Sequence, residues 1–231
     1  LYTENNAGAI VELGTNPSTI DINAGTVDGI TSLSTSTSGT SNFIAGVNAG
    51  NSITSGGNYN VVVGDEAGTA ITTADNNVAV GFEALKTLAT SSQNTAVGHT
   101  ALKLNTAANN SAFGYGALAN NSSGTANLAV GRSALAANTT GDNNTAVGKS
   151  ALTANTTADN NTAVGQNALN ANTTASNNTA IGTSALTANT TAPNNVAVGY
   201  GAGTSLTIGG YNVAIGTNAL KTATTTTANT A

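Results

Sequence analysis

A short alternation of polar and apolar positions recurs along most of this chain. It reads Asn-x-Ala-Val-Gly-x-x-Ala-Leu, and its Gly occurs eleven times from Gly46 to Gly216. Successive glycines are 18, 17, 17 and 16 residues apart, and then 17 apart six times. The residues before Gly alternate as a β-strand does, and the Thr, Asn and Gly around them favour strands and turns over helix. The period is also too short for helical hairpin repeats, which need more than about thirty residues.

The repeat therefore predicts an all-β fold, a β-solenoid of about eleven 17-residue coils. We expect each coil to contain two short strands joined by turns. Coils that stack at about 4.8 Å would form a rod roughly 50 Å long. We assign residues 41–220 to this repeat domain, residues 1–40 to a β-rich leader or connector, and residues 221–231 to a C-terminal tail or truncation end. Since the chain starts with Leu1 and not Met, we expect it to be a fragment.

Each column of the repeat has its own chemistry. Asn lies four residues before Gly, and Ala three residues after it, in all eleven copies. The Asn column predicts a ladder of amides that bond from coil to coil. The position four after Gly is Leu in eight copies and Gly in three, and those three carry Ile53, Ile71 or Leu206 three residues further on. One interior pocket per coil is therefore filled either by the Leu four after Gly or by the aliphatic residue seven after Gly, because a void would cost a few kcal/mol. Representative structural positions are Asn94, Gly98, Asn144, Gly148, Asn161, Gly165, Asn178 and Gly182.

The strand residues predict an oligomer. The residue directly before Gly is a large apolar one in ten copies, so we expect it to point into the coil. Its neighbour, two before Gly, is Ala in nine copies and would then point outward. An outer face of Ala, where a solvated strand would carry Thr or Lys, predicts close packing against another chain. A three-fold bundle, and hence a homotrimeric rod, is the expected arrangement.

The composition excludes several classes of protein. Only 6% of residues are charged and 3% aromatic, Cys is absent, and the net charge is −5. Such a chain has too few large apolar side chains for a thick globular core, yet it is not a disordered polyelectrolyte. Without Cys it has no disulfide or thiolate metal site. We predict no nucleic-acid binding, because there is no basic patch, and no membrane insertion, because no apolar run is long enough.

The repeat resembles those of known fibrous proteins. The pattern N-T-A-V-G-x-x-A-L-x-x-N-T-T is similar to repeats in many phage tail-fibre and bacterial surface proteins. The sequences "NNVAVG" at 194–199 and "YNVAIG" at 211–216 resemble the head repeats of trimeric autotransporter adhesins, although the adhesin coils are a few residues shorter. The segment "STIDINAGTVDGITSLST" at 18–35 resembles the region ahead of such repeats in phage fibres.

This resemblance implies a fold and a function. It implies a left-handed parallel β-roll wound as an intertwined homotrimer. It further implies a structural shaft or head segment of a viral (phage) tail fibre that supports host attachment, with other fibre or virion components as partners. The alternative is a bacterial trimeric surface adhesin or extracellular filament. The expected location is accordingly the virion tail fibre, the extracellular space or the cell surface.

One variable column is a candidate ligand surface. The position directly after Gly accepts residues of every size and charge, which predicts an exposed edge. It would present a ladder of side chains to a cell-surface glycan or receptor. The members of this candidate ligand ladder are Phe82, His99, Tyr115, Arg132, Lys149 and Tyr200.

Catalysis is not expected. His99 is the only histidine, and it lies in the variable column that predicts an exposed edge, so no Ser-His-Asp triad is expected around it. Asp65, Glu66 and Glu83 lie on adjacent coils, and paired carboxylates can hydrolyse glycans, but acids on a rim more simply solubilise the surface. We predict no enzyme, no catalytic residue and no cofactor.

Two further hypotheses concern the turns. Asp142 and Asp159 occupy one turn column, where they either serve the turns or share a Ca²⁺ ion. The "NTT" triplets place Thr139, Thr156 and Thr173 in another column, with Thr190 following. A flat ladder of threonines on a β-solenoid can bind ice by lattice matching, so an ice-binding solenoid is a third candidate function.

Overall fold

Eleven short parallel strands stack in chain order into one sheet. The structure, a computed structural model, describes residues 39–231, so most of the predicted leader lies outside the described residues. The repeats belong to one compact unit, which the structure describes from residue 39 to residue 231. Every strand pairs only with its neighbours in sequence, as in a solenoid. The strands are β1 (Phe43–Ala45), β2 (Val61–Val63), β3 (Val78–Val80), β4 (Thr95–Val97), β5 (Ser111–Phe113), β6 (Leu128–Val130), β7 (Thr145–Val147), β8 (Thr162–Val164), β9 (Thr179–Ile181), β10 (Val196–Val198) and β11 (Val213–Ile215).

The register of the sheet places like residues on like. In β7 and β8, Thr145 pairs with Thr162 and Val147 with Val164. The predicted all-β solenoid is confirmed for the described residues. The expectation of two strands per coil is wrong, since each described coil has one strand of three residues. The remainder is turns, because each coil repeatedly enters the left-handed backbone region, as at Ser150 (φ 58°) and Leu152 (φ 51°), which interrupts an extended run.

The turns are nonetheless hydrogen-bonded from coil to coil. The Leu152 N–H donates to the Ala168 carbonyl at 3.0 Å, and the Thr156 N–H donates to the Thr173 carbonyl at 3.0 Å. Backbone groups outside the strands are therefore satisfied by the next coil. Stability must come from stacking, since a single coil buries little by itself.

The strand side chains point opposite to our expectation. Ala146 and Ala163 are fully buried, whereas Ile181 is 41% and Ile215 is 62% exposed. The prediction that the Ala column faces outward is therefore wrong, and the apolar residue before Gly faces outward instead. The physical reason is space, because a coil that already holds a buried Leu and a buried Asn admits only a methyl group from the strand. The larger Val62 is buried in a coil where Gly68 replaces that Leu.

The interior is a stack of Leu and Ala columns. Leu152 and its equivalents in the neighbouring coils have no exposed surface. Where Gly replaces this Leu, the space is taken by the residue three positions later. A Cβ added to Gly68 would lie 2.8 Å from Ile71 Cδ1, and one added to Gly203 would lie 3.1 Å from Leu206 Cδ1. The prediction of one pocket filled by two routes is confirmed.

Truncation of one interior Leu should weaken the solenoid measurably. We expect Leu152→Ala to lower the free energy of unfolding by about 3 kcal/mol, because it leaves a cavity between two stacked coils. Denaturant unfolding at fixed protein concentration measures this change. Leu104→Ala is the matched control, since Leu104 is 43% exposed and its truncation should cost less than about 0.5 kcal/mol. Equal losses in both variants would contradict the assignment of the interior.

Residues 221–231, predicted as a tail, continue the coil. Val213 forms a parallel bridge with Thr230, and the Val213 N–H donates to the Asn229 carbonyl at 2.7 Å. The Asn229 N–H in turn donates to Asn212 Oδ1 at 3.0 Å. This segment therefore repeats the coil-to-coil bonding of the earlier copies.

Candidate functional site

The Asn column before each strand forms a continuous buried ladder. Asn144 Oδ1 accepts the backbone N–H of Asn161 at 3.0 Å. Asn144 Nδ2 donates to the Ala158 carbonyl at 2.8 Å and to Asn127 Oδ1 at 3.2 Å. The same bond from side-chain oxygen to next-coil N–H recurs at Asn94, where Asn110 N–H donates at 3.0 Å, and at Asn178, where Asn195 N–H donates at 2.9 Å. The predicted amide ladder is confirmed, and its role is structural.

A second buried Asn ladder was not identified from the sequence. It lies seven residues after Gly, in the Asn of the NTT triplets. Asn138 Nδ2 donates to Asn121 Oδ1 at 2.8 Å, and Asn155 Nδ2 donates to Asn138 Oδ1 at 2.9 Å. These residues are fully buried. The signal was present in the sequence, because six consecutive copies carry Asn in this column while other copies carry Ile53, Ile71 or Leu206 there, and a position shared with large aliphatic residues is typical of an interior.

The repeat glycines allow the coils to approach closely. Gly98, Gly148, Gly165 and Gly182 have φ values from 132° to 141°, a region open to few other residues. The Gly165 N–H donates to the Val147 carbonyl at 2.7 Å. These positions set the distance between coils and leave no room for a side chain on that edge.

The column after Gly is exposed, and part of it is a stack of rings. The ring centroids of Phe82 and His99 are 5.1 Å apart, and those of His99 and Tyr115 are 5.0 Å apart with planes only 13° from parallel. Arg132 and Lys149 occupy the same column in the next two coils and are exposed. The structure therefore brings five residues of the candidate ligand ladder together. Tyr200, 61% exposed, lies three coils beyond Lys149 and does not join them.

The acids on adjacent coils form an ion-pair cluster. Lys86 Nζ lies 3.1 Å from Glu66 Oε2 and 2.6 Å from Glu83 Oε1, while Lys103 Nζ lies 2.6 Å from Glu83 Oε2. Hydrogen bonds from Lys103, and then from Lys86, hold the pKa of Glu83 below its ordinary value. The hydrogen bond from Lys86 is likewise the main cause of the lowered pKa of Glu66. Neither carboxyl is poised to donate a proton near neutral pH.

Acidification should reveal this cluster. A carboxylate whose pKa is lowered by folding adds stability that is present above its unfolded pKa of about 4.3, and that is lost as pH falls through the lower folded pKa. We expect Glu83→Gln to reduce the thermal midpoint at neutral pH by a small amount, since the groups are near the surface. This difference should shrink as the pH is lowered below about 4.3 and then through the lower folded pKa. A difference that stays equal as the pH falls would contradict the role of the pairs.

The two turn aspartates accept backbone hydrogen bonds. Asp159 Oδ1 accepts the Asp142 N–H at 2.7 Å, and Asp142 Oδ1 accepts the Thr125 N–H at 2.6 Å. Asp65 does the same for the Val47 N–H at 3.0 Å. Along residues 39–231, no group of three or more His, Asp or Glu is arranged to hold a metal ion. The structure thus accounts for Asp142 and Asp159 through the turns.

The threonines of the NTT turns are already engaged. Thr139 Oγ1 donates to the Thr156 carbonyl at 2.9 Å, and Thr156 Oγ1 donates to the Thr173 carbonyl at 3.1 Å. Both residues are half-buried. These hydroxyls serve the solenoid itself and do not form a free ladder for ice.

The outward face of the sheet is a long apolar surface, although the sequence predicted that the apolar residue before each Gly points inward. It consists of the residues one and three before Gly on all eleven strands; none of these 22 residues is charged, and 17 are apolar. Its dimensions are about 50 Å by 10 Å, hence about 500 Å², which is the size of the largest apolar patch on a typical monomer, and such patches are often functional. The most exposed apolar members, at 36% to 62%, are Phe43, Val61, Val97, Phe113, Ile181, Val196 and Ile215. We call this surface the strand face.

A sequence signal for the strand face existed. The residue before Gly ranges from Ala45 to Phe113, whereas the residue two before Gly is Ala in nine copies. A column that varies in size faces outward, because a close-packed interior does not tolerate such variation.

Comparison of the chain with protein-family models, with curated protein sequences and with solved structures finds no match. The resemblance to fibre and adhesin repeats therefore stays a prediction from the sequence. The described residues contain no helix long and apolar enough to span a bilayer.

Proposed function

We propose that this chain is a structural shaft or head segment of a homotrimeric viral (phage) tail fibre that supports host attachment. The observation that carries the proposal is the strand face, which is continuous over eleven strands and contains no charged residue. A flat apolar sheet face of this length is a liability in a monomer, because it favours association. A partner chain that covers it removes the liability.

The proposed partner is a second and a third copy of the same chain. Like residues align along each strand column, as Val147 does with Val164, so a rod with parallel strands presents the same pattern along its whole length. Three copies around a rotation axis form a closed assembly, because each chain contacts the next in the same way and the third contacts the first. The resemblance of the repeat to intertwined trimers favours three copies over two, and it favours a left-handed β-roll.

A rod of this kind has a mechanical function. Eleven stacked coils are held by bonds between neighbouring coils, with one buried Asn ladder along all of them and a second along six. Such a shaft holds a host-recognition tip away from the particle. A bacterial trimeric surface adhesin or extracellular filament uses the same architecture and is the nearest alternative, with the cell surface as its location in place of the virion.

Ice binding is a second candidate with a specific observation in its favour. The strand face carries Thr145, Thr162 and Thr179 in one outward column, spaced by about 4.8 Å. This ladder differs from the NTT column considered first. It is accessible only in a monomer, because the trimer covers the same face. Thermal hysteresis by a monomeric chain would support this candidate, and a trimer without thermal hysteresis would exclude it.

A charge placed on the strand face tests the proposal. We expect Val164→Lys to dissociate the trimer into monomers, because three ammonium groups would meet near the axis in a low-dielectric contact. Gln166→Lys is the matched control, since it adds the same charge two residues away in the column where Lys149 already stands. Light scattering gives the mass of each variant, and circular dichroism checks that both remain β. A trimer that tolerates Val164→Lys as well as Gln166→Lys would show that the strand face is not the interface.

A further inference from the structure

A second exposed surface is formed by residues that directly follow the repeat glycines in five successive coils. We call it the aromatic–cationic stripe, and it consists of Phe82, His99, Tyr115, Arg132 and Lys149. Its backbone is fixed coil by coil: the Thr100 N–H donates to the Phe82 carbonyl at 2.8 Å, and the Ser150 N–H donates to the Arg132 carbonyl at 3.0 Å. The five side chains therefore lie in one straight row that is about 20 Å long.

The two cations of the stripe have no anionic partner among the residues that the structure describes. The only ion pairs among residues 39–231 involve Lys86 and Lys103. Arg132 and Lys149 are stacked on adjacent coils, where like charges repel each other. This is notable in a chain with five cations in total and a net charge of −5. A ligand that supplies negative charge would relieve the repulsion.

The rings add to the positive character of the stripe. His99 lies between Phe82 and Tyr115, at centroid distances of 5.1 and 5.0 Å, so a ring covers each of its faces. Where the rings stack, a ligand along the row meets their edges, which carry the positive end of the aromatic quadrupole. Edges and cations together present an electropositive row to solvent.

The residues beside the stripe suit a sugar. Ser133 and Ser150 follow the two cations directly, and Gln166 and Thr183 continue the column in the next two coils. These hydroxyl and amide groups donate and accept hydrogen bonds, as do the hydroxyls of a saccharide. The combination of two cations with neutral polar groups matches a polysaccharide that carries few charges per unit length.

We propose that the aromatic–cationic stripe binds a linear polysaccharide that carries carboxylate groups and lies parallel to the rod. The carboxylates contact Arg132 and Lys149, and the sugar hydroxyls contact the flanking polar side chains. Nucleic acid fits less well, because insertion of a base between two rings needs about twice the 3.4 Å stacking distance, and 5.0 Å is present. The binding site is formed by the stacked coils of a single chain. Its role in host recognition rests on the proposed fibre function.

The test measures binding of the full chain to short polygalacturonate oligomers by biolayer interferometry. The fully methyl-esterified oligomers are the neutral control ligand. We expect binding to the acid form to be at least about tenfold tighter than to the ester, and to weaken as salt is raised. We expect the double variant Arg132→Gln/Lys149→Gln to weaken it at least about tenfold, since removal of two charge contacts has this order of effect.

Matched variants separate the site from the fold and from net charge. Gln stands naturally in this column at Gln166, so the double variant should retain the wild-type thermal midpoint and mass. Lys221→Gln removes an exposed cation elsewhere and should change the affinity by less than about twofold. Equal losses in Lys221→Gln and Lys149→Gln would overturn the site, as would equal binding of the ester. Tighter binding of oligothymidylate would overturn the ligand class.

The outcomes also distinguish this inference from the proposed fibre. A trimer that binds no acidic oligosaccharide overturns the binding site and leaves the fibre function in place. A monomer that binds through Arg132 and Lys149 overturns the trimer and leaves the binding site in place.

Discussion

Gly165→Ala should be among the most damaging small substitutions in the described part of the chain. An added Cβ would lie 2.6 Å from both the carbonyl carbon and the carbonyl oxygen of Gly182. Both atoms are backbone and cannot move aside without separating the coils. The φ of 132° adds a conformational cost, because residues with a Cβ rarely adopt it. We expect the free energy of unfolding to fall by more than about 4 kcal/mol, as measured by denaturant unfolding at a fixed chain concentration.

Two other glycines separate the causes of this loss. Gly216 has a similar φ of 123°, but an added Cβ meets nothing within 4 Å, so Gly216→Ala should show only the backbone cost of about 1–3 kcal/mol. Gly116 has a φ of 64° and open space around it, and its column holds Ser133 at 58°. Gly116→Ala should therefore cost no more than about 1 kcal/mol. Equal losses at Gly165 and Gly216 would contradict the close approach of the coils.

Asn144→Leu should have the second largest effect. The substitution keeps the four side-chain heavy atoms and the branch at Cγ, but it removes the acceptor of the Asn161 N–H and of Asn161 Nδ2. It also removes the side-chain donor to the Ala158 carbonyl. Each buried polar group left without a partner costs about 1–3 kcal/mol. We expect a total loss of about 3–6 kcal/mol, measured as the change in free energy of unfolding.

The control for this variant is an Asn outside the ladder. Asn167 has a φ of 57°, and its column contains Ser150 at 58°. Asn167→Ser thus retains a residue that this backbone already accepts, and we expect a change of less than about 0.5 kcal/mol. A similar loss in Asn144→Leu and Asn167→Ser would show that the ladder contributes no more than any surface amide.

The repeat period determined the architecture because each column has one chemical requirement. An invariant Gly, an invariant Asn and an exchange of Leu for Gly with a later Ile71 or Leu206 could be interpreted from spacing alone. These features required no knowledge of which way a side chain points. The structure agrees with the stacked coils, the Asn144 ladder and the alternative filling of the core.

The direction of the strand could not be obtained from alternation alone. A three-residue strand such as Thr145–Val147 has period two, and either set of positions fits an interior. The correct choice depends on interior volume, which is set by Leu152 and by the Asn columns. Hydrophobicity favoured Val as the buried residue, while packing favoured Ala, and packing prevailed.

Contacts between side chains of different coils were also beyond the sequence argument. The column of Phe82, His99 and Tyr115 was identified as exposed, but the near-parallel stacking of His99 on Tyr115 depends on rotamers. Likewise, Glu66 and Glu83 were recognised as neighbours, while their shared partner Lys86 lies at a different position of the repeat. Periodicity fixes which residues are adjacent, and side-chain geometry decides how they interact.

The native mass of the purified chain tests the central claim most directly. Light scattering on the chain, repeated after mild SDS treatment without boiling, reports both association and its durability. We predict three times the chain mass of 22.3 kDa, retained in the detergent, because the strand faces cover one another along the rod. A well-folded monomer that leaves the strand face open to solvent would contradict the trimeric fibre.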